Sequence, residues 1–310
     1  MKVLVTGGAG FIGSNVANTL ARDGAEVVVL DDLSLGIPTN LDPAVKFHRG
    51  DVRRAEDVRP LCDGADYAIH IASRSSVGMY YPLPAEALDV ATTGLVRVLD
   101  AAREFGVKKV VYASTSSLYS RVPPPHREST PIVPGSFYEL GKMINEETAR
   151  IYNEEWGLPS VGLRYFAVYG PNEAHKTRFA NIVTQFLWAM QKGEAPVIYG
   201  DGTQTRDFTY VSDIVAGTLQ AMRGEYHGVL NLGTGTATSF NDVVRLLNGA
   251  LGTTIEARHV PSPIQNYVHD TLADTTLARK AIGYEPKVSL EQGVAKMVAH
   301  YAAKGLRASA

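Results

Sequence analysis

The sequence predicts an α/β fold: a doubly wound parallel sheet followed by a smaller α/β cap. Three observations carry this. Short β-branched runs alternate with longer helical patterns through the first half of the 310-residue chain. A glycine-rich turn joins the first strand to the first helix, and the rhythm becomes irregular after Gly170. In chain order, residues 3–6, 26–31, 45–50, 67–71, 109–113 and 160–166 read as strands. Residues 12–23, 84–105 and 136–156 read as the helices between them. Such alternation argues for strands covered by helices on both faces. Ligands of these sheets bind beyond the carboxyl ends of the strands. Positions just after Thr6, Asp31, Ile71, Ala113 and Phe166 are therefore the first candidates.

Later helices are predicted at 180–191, 211–222, 241–251 and 290–303, divided by the turn GDGTQTRDF and the segment NLGTGTATSF. This divides the chain into residues 1–169, with 208–232 returning to that half, and a cap drawn mainly from 170–310. The tail GLRASA reads as frayed.

Composition excludes several classes. With 45% hydrophobic and 20% charged residues the chain is ordinary globular protein, neither disordered nor collagen-like. The 30 Lys+Arg against 32 Asp+Glu give a net charge of −2, no footprint for nucleic acid or an anionic membrane. An anionic ligand must then be held by local dipoles and a few cations. Cys62, the only cysteine, can form neither an intrachain disulfide nor a multi-cysteine zinc site. Its setting in LCDGAD points to packing. There is no 18-residue apolar run, and the chain opens directly on a strand pattern, which predicts a soluble, cytoplasmic protein. His70 reads as a packed core residue, Met79-Tyr80-Tyr81 as packing, and the histidines lack metal-ligand spacing, so no metal is expected.

VLVTGGAGFIGS places Gly7, Gly10 and Gly13 between a strand and an amphipathic helix. A tight turn, close backbone approach to a pyrophosphate and close helix–strand packing each ask for glycine there. The helix N-terminus offers unpaired N–H groups to phosphates. The second strand ends at Asp31, 18 residues beyond Gly13, where a carboxylate can accept both ribose hydroxyls and repel a 2′-phosphate. No arginine follows in DDLSLG, which favours NAD over NADP. The pattern is a Rossmann-type dinucleotide site, with Asp32 and Ser34 beside Asp31 and with Asp51-Val52 at the adenine edge.

Tyr138 and Lys142 are four apart on a predicted helix and share a face. A phenol near pKa 10 is a poor base at neutral pH. A nearby ammonium and a positive nicotinamide would stabilise the phenolate. The hydroxyl run Ser114–Ser117 ends the preceding strand, where a hydroxyl could share a proton with the sugar oxygen that Tyr138 deprotonates.

Together GGAGFIG, Asp31, IHIAS, STSSLY, Tyr138-x-x-x-Lys142, LRYFAVYGP, TQTRDFTYVSDIV, ADTTLARKAIGYEP and SLEQGV resemble the extended short-chain dehydrogenase/reductase family. Within it they are most similar to nucleotide-sugar epimerases of the UDP-glucose 4-epimerase type. The resemblance implies Thr115 as hydroxyl partner, Tyr138 as base and Lys142 as the ribose-binding, phenolate-stabilising lysine. It implies Phe11 and Ile12 under the pyrophosphate. Ile71, Ala72, Ser73, Ser75, Ser114 and Tyr165 would lie around the nicotinamide half. It also implies Arg206 on the substrate phosphates, Tyr199 near the base, and Thr115, Ser116, Ser117, Asn181 and Val197 among the substrate contacts. A homodimer through helices 84–105 and 136–156 follows from the same resemblance.

Three positions depart from the usual epimerase pattern: Ala91 and Ala167 stand where asparagines are common, and Pro263-Ile264 where an arginine is. YGPNEAHK and NLGTGTATSF resemble ADP-glycero-manno-heptose 6-epimerases, which would make Lys176 a second acid/base; the alternative is a solvated loop lysine. The STSS run resembles uronate 4-epimerases. A 4,6-dehydratase is disfavoured, because Ser116-Ser117 stand where that group has an Asp-Glu pair. The leading expectation is an NAD-dependent UDP-glucose/UDP-galactose 4-epimerase. Heptose or uronate epimerases, or a non-catalytic nucleotide-binding module, are the alternatives.

Overall fold

A computed structural model describes residues 1–262 and 268–303. Pro263-Ile264 and the GLRASA tail lie outside the described residues. The chain runs β1 (Lys2–Thr6), α1 (Phe11–Arg22), β2 (Glu26–Asp31), β3 (Lys46–Arg49), α2 (Ala55–Cys62), β4 (Tyr67–His70), α3 (Pro84–Glu104), β5 (Lys109–Thr115), α4 (Phe137–Trp156) and β6 (Ser160–Tyr165). There follow β7 (Val168–Tyr169), α5 (Ile182–Gln191), β8 (Val197–Tyr199), β9 (Thr205–Arg206), β10 (Thr209–Tyr210), α6 (Val211–Arg223) and β11 (Gly228–Leu232). The last elements are β12 (Thr238–Ser239), α7 (Phe240–Leu251), β13 (Arg258–Val260), α8 (Thr276–Ile282) and α9 (Leu290–Ala303).

Seven strands form one sheet in the order β11-β6-β5-β4-β1-β2-β3, and every pairing in it is parallel. The predicted doubly wound fold is thus present. Its strands read as apolar runs because both faces are covered. Val3, Val5, Val27, Val29, Ile69 and Val111 pack with α1 and α6 residues on one face. Leu4, Leu30, Ala68, Val110 and Tyr112 pack with residues of α2, α3 and α4 on the other. This is the period-2 alternation of a strand. A separate apolar core joins α5, α7 and α9 around Phe186, Leu187, Val243 and Met297.

Strand order reverses between β1 and β4, so the connections leaving them diverge and open a crevice at their carboxyl ends. Register places Thr6 beside Leu30 and His70, and Thr115 beside Tyr165, at one edge of the sheet. His70 is the packed core residue expected. Its Nδ1 lies 2.8 Å from Thr6 Oγ1, and burial pushes its pKa down to about 3. Cys62 ends α2 fully buried, its thiol pushed up to about 12 by burial. That suits packing and not nucleophilic chemistry.

Candidate active site

The glycine turn opens the first cavity, of about 170 Å³. Gly7 sits at φ +68, where a Cβ would stand 2.5 Å from Ala72 N. A Cβ at Gly13 would run into the Gly7 carbonyl oxygen. Backbone alone fits at both positions, which leaves the α1 N-terminus open. No side chain caps that terminus, so the first N–H groups at Phe11, Ile12 and Gly13 face the cavity unclaimed by a cap. Asp31 ends β2 on the same cavity, 8% exposed. Its Oδ2 accepts from Ala9 N at 3.0 Å and its Oδ1 from Leu33 N at 2.9 Å. A carboxylate has further lone pairs on both oxygens, available to a pair of hydroxyls. Burial raises the Asp31 carboxyl, and the two backbone bonds oppose it.

The wall of this cavity contains Gly7, Gly10, Phe11, Ile12, Gly13, Asp31, Asp32, Ser34, Asp51, Val52, Ile71, Ala72, Ser73 and Ser75, all expected from the sequence. Asp51 is gripped by Arg53, whose Nε stands 2.9 Å from Oδ2, and that contact lowers the carboxyl. Leu35, Gly36, Arg74, Glu86, Val90 and His175 also line it and were not anticipated. Gly36 was a legible signal: a Cβ there would lie 2.8 Å from the Ala9 carbonyl carbon. Arg74 and Glu86, paired at 3.2 Å, carry no motif.

The second cavity, of about 410 Å³, shares Phe11, Ile12, Ile71, Ser73, Ser75 and Lys176 with the first, so the two are continuous. Thr115, Ser116 and Ser117 line it from the end of β5, Tyr138 from α4, and Tyr165, Asn181 and Arg206 from the opposite side. Thr115 Oγ1 accepts from Ser117 N at 3.1 Å and also hydrogen-bonds Tyr138. Lys142 lies one turn along α4, 4% exposed, and its Nζ donates to the Ala113 carbonyl at 2.9 Å. Burial pushes Lys142 down to about 8, opposed by Glu146.

In the protein alone, desolvation outweighs the Thr115 hydrogen bond and holds the Tyr138 phenol above its ordinary value. The expected lowering depends on the nicotinamide charge as well as on Lys142. Tyr80 packs edge-on against Tyr138, centroids 5.5 Å apart, in a small cluster with Ala87 and Ala91. Tyr80 is thus buried packing, while Tyr81 is 63% exposed.

Lys176 is no solvated loop residue. Its Nζ lies 3.1 Å from Oε1 of Glu173, which is fully buried and also accepts from Asn181 N and Thr184 Oγ1 at 2.7 Å each. The lysine also stands 5.5 Å from the Phe11 ring centroid. Asn181 caps α5 through Val183 N at 3.0 Å and donates to the Ala167 carbonyl at 2.9 Å. The helix predicted from 180 therefore starts at Ile182. Arg206 donates to the carbonyls of Thr205, Val268 and His269. Asp207, its sequence neighbour, is turned inward to Thr234, Gly235 and Ala273. Val197 and Tyr199 lie on β8 and line neither cavity, with Tyr199 42% exposed. Among the described residues no group of three or more His, Cys, Asp or Glu side chains is placed to hold a metal.

Residues 3–233 match the NAD dependent epimerase/dehydratase family. The chain belongs to this family. NAD is accordingly the cofactor, and the glycine cradle, open α1 terminus and Asp31 fit a dinucleotide. The UDP-glucose 4-epimerase of Mycolicibacterium smegmatis is 34% identical over 307 residues, spanning 96% of this chain and 97% of that protein. The structure of UDP-glucose 4-epimerase from Thermotoga maritima, with UDP-glucose, superposes with TM-score 0.94 at 34% identity. That match covers 98% of this chain and 99% of that one. The ADP-L-glycero-D-manno-heptose-6-epimerase of Helicobacter pylori superposes with TM-score 0.89 at 29% identity, covering 97% and 96%.

Proposed function

We propose that this protein interconverts UDP-glucose and UDP-galactose by inverting C4 through a transient 4-keto sugar. Thr115 and Tyr138 meet on a cavity continuous with the dinucleotide cradle, with Lys142 buried one turn further along α4, and this arrangement carries the reading. The relatives named above support the UDP-hexose assignment. The chemistry that NAD supplies when bound is reversible hydride acceptance, which permits inversion with no net redox change. Tyr138, entering as the phenolate, takes the proton of the C4 hydroxyl at Oη and later returns it. Thr115 hydrogen-bonds the phenol and orients it, and Lys142 stands one helical turn further along, anchored to the Ala113 carbonyl. All three groups are buried, where a fixed polar group acts more strongly than it would in water. Among the described residues the lining of this cavity includes Arg206 and Lys176 and no Asp or Glu, with Glu173 pairing Lys176 from behind, a balance that suits a diphosphate.

The reading includes a cytoplasmic homodimer, and a cofactor half of residues 1–169 with 208–232 against a substrate half of 170–310. Among the described residues no helix is long and apolar enough to cross a membrane. Replacing Tyr138 by Phe should lower UDP-galactose turnover by roughly two to four orders of magnitude with NAD affinity little changed. Near-normal turnover would remove Tyr138 from the chemistry. The half-buried placement of Lys176 where the two cavities meet favours one second reading, a heptose-type 6-epimerase with Lys176 as second acid/base.

A further inference from the structure

A polar network lies buried behind the wall that carries Thr115. Glu146, one turn beyond Lys142 on α4, is 8% exposed. Its Oε1 accepts from Ser114 Oγ at 2.5 Å and from Arg164 Nε at 2.9 Å, and its Oε2 from Arg164 Nη2 at 2.6 Å. Arg164 Nη1 donates to the Tyr119 hydroxyl at 2.6 Å, which donates to Asn231 Oδ1 at 2.9 Å. Register puts Ser114 opposite Arg164 and Thr115 opposite Tyr165. The Glu146 carboxylate therefore clamps β5 to β6 one residue before Thr115.

A buried ion pair is seldom worth more to stability than apolar packing of the same volume. The place of this one gives it other work. Fixing the Ser114 side chain fixes the strand end and so the direction of the neighbouring Thr115 hydroxyl. Groups facing the Lys142 ammonium are the Ala113 carbonyl from β5, His70 from β4 and Glu146 from its own helix, with Arg164 of β6 behind Glu146. Of these only Glu146 is an anion, since burial keeps His70 neutral.

We propose that Glu146 is a positioning residue for the reaction, tethering the Ser114–Thr115 strand end from a place one helical turn beyond Lys142. The proposal rests on Thr115, Tyr138 and Lys142 being the reacting set. The carboxylate opposes the effect of burial on Lys142, so removing it should lower that lysine further.

The test compares kcat, KM and the pH profile on UDP-galactose for wild type, Ser114→Ala, Glu146→Gln and Tyr138→Phe, each shown to be folded by thermal unfolding. Ser114→Ala leaves the Glu146–Arg164 pair intact, so kcat should fall roughly tenfold with KM nearly constant and the alkaline limb unmoved. In Glu146→Gln the alkaline limb, which marks loss of the ammonium, should also move to lower pH by about half a unit or more. A purely structural role would scale the whole profile down and leave the limb in place. If Glu146→Gln does not fold, Glu146→Gln/Arg164→Met leaves no lone buried charge and carries the same measurement. An unmoved limb, or a Ser114→Ala enzyme within twofold of wild type, overturns the proposal while Tyr138→Phe stays inert. An active Tyr138→Phe enzyme instead overturns the reading of the site itself.

Discussion

At Asp31 each carboxylate oxygen already accepts one backbone N–H, which fixes the group at the cavity edge. A 2′-phosphate there would meet a fixed carboxylate with Asp32 beside it, and no arginine follows in sequence to offset them. Dissociation constants measured for both cofactors should favour NAD over NADP by at least about tenfold, roughly 1.4 kcal/mol. Equal or tighter NADP binding would sink this reading of Asp31. Lys176 separates the two candidate reactions. A 4-epimerase needs one acid/base, because the keto sugar presents its other face to the same Tyr138. Lys176→Met should then lower UDP-galactose turnover less than about tenfold, under roughly 1.4 kcal/mol of barrier. The ammonium also partners the buried Glu173, so Lys176→Met/Glu173→Gln is the control for lost stability. A loss of several hundredfold in both variants, with NAD binding intact, would place Lys176 in the chemistry. That Lys176 is half-buried and paired was not legible in sequence, since the charged stretch from Glu173 to Arg178 looks solvated when read alone. Its ion pair depends on Glu173 folding inward onto Thr184.

Helix α4 presents its chemistry at i, i+4 and i+8: Tyr138, Lys142 and Glu146 are all buried. Its start was legible from Ser136, three residues before Glu139. Ser136 Oγ accepts from Glu139 N at 3.3 Å, while Glu139 Oε2 reaches back to Gly135 N at 2.5 Å and to Ser120 Oγ at 3.0 Å. Gly157 closes the helix at φ 65. Ser136→Ala should cost about 1 kcal/mol, read as a lower urea midpoint at constant m. An unchanged midpoint would mean that the cap adds nothing there. By contrast only the end of α2 was legible, at LCDGAD around Cys62, because Pro60 lies inside the helix and an interior proline reads as a break. At seven residues α8 was too short to show a period.

For the whole molecule, the unburied face of α4 carries Phe137, Ile144 and Ile151 at seven-residue spacing, 43%, 38% and 44% exposed. Such a stripe, on a helix packed beside α3, suits a second copy of the same pair. Light scattering at micromolar concentration should give a dimer, and Ile144→Glu/Ile151→Glu should give a monomer. A monomeric wild type would refute the expected assembly.

What the sequence determined by itself was whatever depends on local spacing. Glycines at 7, 10 and 13 admit only close backbone approach, a carboxylate ends the second strand, and Tyr138 and Lys142 share a helical face. Strand alternation likewise forces the sheet to be covered on both sides, so fold class and cofactor cradle could be read directly. Tertiary structure alone decided the electrostatics. Whether Tyr138 is raised or lowered depends on how much water the assembled walls exclude, and no spacing encodes desolvation. Nor does spacing show that Tyr80 fills the cluster with Ala87 and Ala91, that Glu146 reaches across to Arg164, or that Val197 and Tyr199 lie off the cavities. These are contacts between elements remote in the chain. Their geometry exists only once the helices have packed on the sheet.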